Sequence, residues 1–184
     1  MTTVDSKVLQ IIHELIGVEG GYTNNPNDSG GPTIWGITEQ VARAFGYTGD
    51  MQAMPQDTAV NIYVQRYWVQ PRFDQVFNVS PTIAIELFDS GVNLGTSTSS
   101  KWLQRALNVL NKGATSYPDM TVDGSIGAMT ISSLSTFLQA RGKDGETVLL
   151  RMLNSQQGMR YIEIAEANPK NETFEFGWFL NRVQ

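Results

Sequence analysis

The sequence predicts a mainly α chain with one small β element near its N-terminus. Three observations lead there. Apolar residues recur at helical spacing through most of the 184 residues. Only one stretch, Thr33-Ile34-Trp35-Gly36-Ile37-Thr38, reads as strand within a small hairpin or irregular sheet. The 17 Gly and 7 Pro gather in a few loops, chiefly residues 22–32 and 111–125, and show no collagen-like period.

The first helix follows from Val8, Ile11, Ile12, Leu15 and Ile16, a 3.6-residue stripe with Asp5 or Ser6 as N-cap and Gly20-Gly21 as terminator. After the strand segment, Thr38 reads as the N-cap of a short helix to about Phe45. A helix over 56–67 is entered through Met54-Pro55, and a loop containing Pro71 precedes another over 81–94. Gly95-Thr96-Ser97 separates that helix from one carrying Trp102, Leu103, Ala106, Leu107 and Leu110. Helices over 128–139 and 146–167 complete the body, and the aromatic segment 174–180 is expected to dock on it as core.

Composition narrows the chemistry. No cysteine is present, which removes disulfides, zinc-thiolate and iron–sulfur sites and cysteine nucleophiles. One His, His13, argues against a multi-histidine metal site or a Ser-His-Asp triad, and it reads as a structural residue. Thirteen basic against eighteen acidic residues give a net charge of −5, and the basic residues are scattered, so nucleic acid is not the expected partner. No apolar run reaches membrane-spanning length, so stable membrane insertion is not expected. The N-terminal residues lack the pattern of a signal peptide. No metal or organic cofactor is expected.

Glu19 asks for explanation. It stands three residues after Ile16, four after Leu15 and seven after Ile12, and so continues the apolar stripe into the last helical turn. Burial and the negative end of the helix dipole both disfavour the anion there, and a carboxyl kept protonated can act as a general acid. The spacing equally allows a Glu that ends its helix and bends out to solvent at Gly20-Gly21. Asp28 follows in a glycine-bearing loop. Two carboxylates brought together serve glycoside hydrolysis, one protonating the leaving oxygen and the other supporting the cationic transition state or activating water. Taken alone, Asp28 reads as an Asx-turn residue.

The order of motifs favours the first reading in each case. Glu19-Gly20-Gly21-Tyr22, Asp28-Ser29-Gly30-Gly31-Pro32-Thr33 and Gly36-Ile37-Thr38 together resemble the signature of glycoside hydrolase family 108, phage-type N-acetylmuramidases of the lysozyme superfamily. Phe88-Asp89-Ser90-Gly91-Val92-Asn93-Leu94-Gly95 and Leu103-Gln104-Arg105-Ala106-Leu107-Asn108 are similar to that family's central helices. Asp123-Gly124-Ser125-Ile126-Gly127-Ala128-Met129-Thr130 resembles an element of its C-terminal peptidoglycan-binding part, and Phe176-Gly177-Trp178-Phe179-Leu180-Asn181-Arg182-Val183 its closing segment. The resemblance covers nearly the whole chain in order.

It implies an α+β lysozyme-like fold in two parts, a catalytic part over 1–95 and a helical peptidoglycan-binding part over 96–184, packed as one compact unit. It implies a muramidase (an endolysin) that hydrolyses the β-1,4 bond between N-acetylmuramic acid and N-acetylglucosamine. Glu19 is then the general acid, Asp28 the charge-stabilising or water-orienting carboxylate, and Thr33 the residue that positions water. The Asp-to-Thr step is one residue shorter here than in the wider superfamily, which leaves Thr38 as an alternative to Thr33. Tyr22 and Trp35 flank the expected cleft, Asp89 and Asn93 form a polar i, i+4 strip, and Gln104 repeats that spacing with Asn108; all but Asn108 are taken as substrate-binding. The alternatives are a lytic transglycosylase, which releases a 1,6-anhydro sugar, and a non-catalytic peptidoglycan-binding protein. Peptidoglycan glycan strands are the expected partner. A monomer is expected, made in the cytoplasm and delivered to the periplasm and cell wall by a holin-type pore or a secretion device.

Overall fold

A computed structural model describes residues 4–19, 21–24 and 31–183, with the backbone alone at positions 15, 18 and 19. By packing, the chain divides into two units, residues 1–70 and 71–184.

In the first unit, helix α1 (Ser6–Glu19) starts where Asp5 Oδ1 accepts the Lys7 amide at 2.8 Å. Val8, Ile12 and Ile16 of its stripe are completely buried, and the helix packs on α3 (Gln56–Tyr63). The strand segment is itself an entire hairpin. β1 (Thr33–Ile34) and β2 (Ile37–Thr38) pair antiparallel, with Thr33 opposite Thr38 and Ile34 opposite Ile37. Two residues connect them, Trp35 and Gly36, both left-handed (φ 55° and 71°). This is the two-residue primed turn that matches strand twist, and it normally takes Asn-Gly. A tryptophan in its first position is strained.

Thr38 caps α2 (Glu39–Ala44) as expected, its Oγ1 accepting the Val41 amide at 3.3 Å, and Phe45 closes that helix. A 3-10 turn, Met51–Ala53, is capped by Asp50. The helix expected over 56–67 ends as α-helix at Tyr63 and continues over Val64–Val69 with the wider π pitch. Composition does not signal that change, because Val64 and Trp68 keep the apolar spacing of an ordinary helix and are both buried.

The second unit opens with a helix absent from the sequence reading, α4 (Phe73–Phe77), entered through a left-handed Arg72 (φ 63°). It has five residues, too few for a periodic pattern to register, yet Phe73 and Val76 are fully buried. α5 (Pro81–Leu94) begins at Ser80, whose Oγ accepts the Ile83 amide at 3.1 Å and donates to Glu146 Oε1 at 2.5 Å. α6 (Thr96–Leu110) starts immediately after Gly95, so the expected three-residue separator is one residue. A Cβ on Gly91 would stand 3.2 Å from Phe73, Thr96 and Ser99 side chains, which explains a glycine inside α5.

α7 (Ala128–Ala167) is two helices joined at Gly142 (φ 57°, ψ −144°), as the sequence divides it. It packs on α5 and α6, while α8 (Glu172–Arg182) packs on α7. None of α8 is buried, which corrects the expectation that its aromatics form core. No helix of the described residues is long and apolar enough to cross a membrane.

Candidate active site

Glu19 is the final residue of α1, and Tyr22 follows it 37% exposed. Thr23 then pairs with Thr33 in both directions, Thr23 N to Thr33 O at 2.9 Å and Thr33 N to Thr23 O at 2.8 Å. That bridge closes the intervening segment into a loop whose neck lies four residues from Glu19. Asp28, near the middle of the loop, is outside the described residues, as are Ser29 and Gly30. Thr33 is the residue that holds the neck. Its backbone is paired on one side with Thr38 and on the other with Thr23, and its half-buried hydroxyl donates to Gly31 O at 3.3 Å. The Thr38 hydroxyl, by contrast, is engaged as the α2 cap.

Trp35 is held at both ends. Its Nε1 donates to Met54 O at 2.9 Å, and Tyr63 Oη donates to the Trp35 carbonyl at 3.3 Å. With the indole N–H occupied, the half-buried ring offers a ligand its face and no hydrogen bond. A strained φ fixed by two tertiary hydrogen bonds is the usual sign of a side chain held for a purpose.

The residues expected to bind substrate in the second unit are placed differently. Gln104 is 98% buried and works as a clasp. Its Nε2 donates to Asp123 Oδ1 (2.8 Å) and Ser125 O (3.1 Å), and its Oε1 accepts the Gly124 amide (2.9 Å). Both amide hydrogens are therefore engaged inside the chain. The Asp123-Gly124 motif is the other half of the clasp. Gly124 is left-handed (φ 79°), and a Cβ there would stand 2.8 Å from Ser97 O. Hydrogen bonds from Gln104 and from the Ser125 amide hold the Asp123 carboxyl below its ordinary range. Asn108 repeats the device, exchanging two hydrogen bonds with the Met120 backbone at 2.8 and 2.9 Å.

Asp89 and Asn93 lie i, i+4 on α5, each engaged within the chain. Asn93 donates to the Asp89 carbonyl at 2.7 Å, within the helix. The Asp89 carboxylate receives Arg182 Nη1 at 2.8 Å, a link across 93 residues. Burial raises the Asp89 pKa even so, because desolvation outweighs the guanidinium and the hydrogen bond from Gln157.

One turn earlier on α5 is Glu86, which sequence reading passed over. Burial pushes its carboxyl up to about 7; the Ser90 hydroxyl, donating at 3.0 Å, opposes the shift, and the Asp89 charge adds to it. Burial likewise pushes the Tyr161 phenol up to about 12. Gln157, fully buried, lies 3.4 Å from that phenol, and its Oε1 finds no hydrogen-bond partner among the described residues. Glu86, Asp89, Gln157, Tyr161 and Arg182 thus form a half-dry polar cluster on α5, α7 and α8, able to hold a proton near neutrality. The rule that singles out Glu19, an acid inside an apolar run, finds Glu86 between Ile83 and Leu87 as well.

An acid-ended helix leads into a hairpin-necked loop and is followed by a densely clasped helical unit; family comparison gives this arrangement its class. Residues 12–95 match the model described as Glycosyl hydrolase 108, and residues 98–183 match a Predicted Peptidoglycan domain. The chain is thus similar to the glycosyl hydrolase 108 family in its N-terminal part and to a peptidoglycan domain in its C-terminal part, and the two matches together support a glycoside hydrolase acting on peptidoglycan. The two models meet between 95 and 98, whereas the packing break falls at 70/71, because α5 packs on α6 and α7. The solved structure of Brucella abortus SagA shares the fold, with a TM-score of 0.60 and 21% identity over 95% of this chain and 88% of that one. Comparison with curated proteins gives no match.

Proposed function

We propose that the chain is an N-acetylmuramidase, hydrolysing the β-1,4 bond between N-acetylmuramic acid and N-acetylglucosamine. Glu19 protonates the glycosidic oxygen, Asp28 faces the developing positive charge, and Thr33 positions water. The observation that carries this reading is the Thr23–Thr33 bridge. It returns the strand bearing Thr33, and the neck of the loop bearing Asp28, to the chain just beyond the α1 terminus where Glu19 stands. The match of residues 12–95 to a glycosyl hydrolase family model supports the same chemistry. Trp35 supplies a stacking face for a sugar ring, and the second unit keeps the enzyme on the wall. Digestion of purified peptidoglycan, with mass analysis of the soluble fragments, tests the reading. Fragments that have gained one water, with reducing-end N-acetylmuramic acid, are expected. 1,6-Anhydro ends would make the enzyme a transglycosylase, and reducing-end N-acetylglucosamine would move the cut to the other bond.

A further inference from the structure

Glu39, the first residue of α2, meets the loop neck in two ways. Its amide donates to Pro32 O at 2.7 Å, and its carboxylate borders Gly31, where a Cβ would stand 3.6 Å from both Glu39 Cβ and Glu39 Oε2. Gly31 is left-handed (φ 74°), a conformation glycine adopts without strain, and it brings no side chain between the carboxylate and its own backbone.

The carboxylate is itself held. Glu39 Oε1 accepts Arg43 Nη2 at 2.7 Å, while Arg43 Nη1 donates to the carbonyls of Tyr47 and Gly49, both at 2.8 Å. The guanidinium also lies 5.8 Å from the centre of the Tyr47 ring. An i, i+4 pair on a helix surface is ordinarily loose and adds little stability. This one is anchored at both ends, by three hydrogen bonds on the guanidinium and by the Glu39 amide at the neck. Its consequence is geometric: Oε2 is kept on the Gly31 side.

Gly31 leads on to Thr33. The Gly31 carbonyl accepts the Thr33 hydroxyl at 3.3 Å, and the Thr33 amide and carbonyl are both taken by Thr23. A hydroxyl whose proton is already donated offers a ligand only its oxygen lone pairs. A water that donates to it has its own lone pair turned elsewhere, as a nucleophile requires.

We propose that Glu39, clamped by Arg43, is a positioning residue of the hydrolytic step: through Gly31 it fixes the Thr33 hydroxyl as the acceptor that orients the attacking water. The inference rests on the role proposed for Thr33 and deepens it. Thr33 gains no proton, and water still adds across the glycosidic bond as before.

Steady-state digestion of soluble, uncrosslinked peptidoglycan strands by the full chain tests it. Glu39→Ala is expected to lower kcat about tenfold and leave KM within about twofold, because a misplaced water raises the barrier without weakening substrate capture. Its urea midpoint should stay near that of the wild type, since the pair is partly exposed. Glu39→Gln keeps the length and one oxygen, and should recover most of the turnover. The deciding arm is a double-mutant cycle with Thr33→Val. If Glu39 acts through the hydroxyl, Glu39→Ala lowers kcat little further in a chain that lacks it. Should Glu39→Ala misfold, Arg43→Met releases the same carboxylate and is expected to show the same kcat loss and the same dependence on Thr33. Wild-type kcat in folded Glu39→Ala overturns the proposal, and so do a loss confined to KM, losses that multiply independently of Thr33→Val, or a Thr33→Val that turns over like the wild type. Glu19→Gln run in parallel separates the two levels. An active Glu19→Gln overturns the muramidase reading, whereas an inactive one beside a fully active Glu39→Ala overturns this inference alone.

Discussion

Residues 4–70 and 71–183 place their side-chain hydrogen bonds differently. In the first unit many run from side chains to irregular backbone: Arg43 to the carbonyls of Tyr47 and Gly49, Tyr47 to Asp50, Trp35 to Met54. They hold turns, one of them through left-handed positions at Trp35 and Gly36. In the second unit the amides of Gln104 and Asn108 clamp the 120–125 segment to α6, buried Asn111 holds Asp119 just beyond the α6 terminus, and Ser80 ties α5 to α7. The unit bearing the proposed acid is thus a set of braced turns, and the other a clasped helical body. Loops supply chemistry where a scaffold fixes only their necks; a densely packed body supplies stability.

The contrast can be broken most decisively at Glu19. Glu19→Gln is expected to lower sacculus lysis about 10²- to 10⁴-fold, the usual consequence of losing a general acid, with the unfolding transition unchanged. Lysis within threefold of wild type by a folded variant would remove Glu19 from the reaction. The second unit should answer in the opposite way. Gln104→Leu leaves the Gly124 amide and Ser125 carbonyl without their buried partner, and urea unfolding should show a loss of about 2–3 kcal/mol. Folded Gln104→Leu should still lyse sacculi at near the wild-type rate.

The polar cluster of the second unit gives a pH signature. The folded Glu86 carboxyl holds its proton to about 7 against an ordinary value of 4.5. Between those limits the folded state binds more protons than the unfolded chain. Stability from Glu86 therefore falls as pH rises from 4.5 to 7 and stays lower above. Asp89, also raised by burial, acts in the same direction, while Tyr161 does not titrate in this range. Glu86→Gln should flatten this dependence and, at pH 8, stabilise the protein by on the order of 1–2 kcal/mol, read from denaturant midpoints across pH. A mutant whose pH profile overlays that of the wild type would contradict the assigned burial. The smallest effect separates two threonines. Thr38→Ala should cost about 1 kcal/mol of stability, as a lost N-cap does, and leave turnover within twofold. If turnover falls a hundredfold instead, Thr38 takes the catalytic role proposed for Thr33.

Much of this molecule is legible one residue at a time. The α1 stripe, the Thr38 and Ser80 caps, Pro81 at the start of α5 and the break between 139 and 146 all appear where the sequence puts them. Each of these signals acts within about one helical turn, through hydrogen bonds or φ preferences that need no distant partner. α4 escaped because five residues carry no period, and the π segment because its apolar spacing also suits an ordinary helix.

The remainder depended on partners far along the chain. Gln104 reads as a free amide on a polar face until Asp123 and Gly124, some twenty residues on, occupy it. Asp89 reads as half of a substrate strip until Arg182 crosses 93 residues to meet it. The aromatics of α8 read as core, because a pattern of Phe, Trp and Leu records that a helix has apolar faces without recording how many of them the body covers. Helices, caps and breaks were fixed locally, by short-range sterics and hydrogen bonding. Which polar groups are engaged, which carboxyl is dry enough to keep its proton, and which apolar face is left bare were settled only when distant segments packed, since desolvation and burial belong to the neighbours a residue acquires.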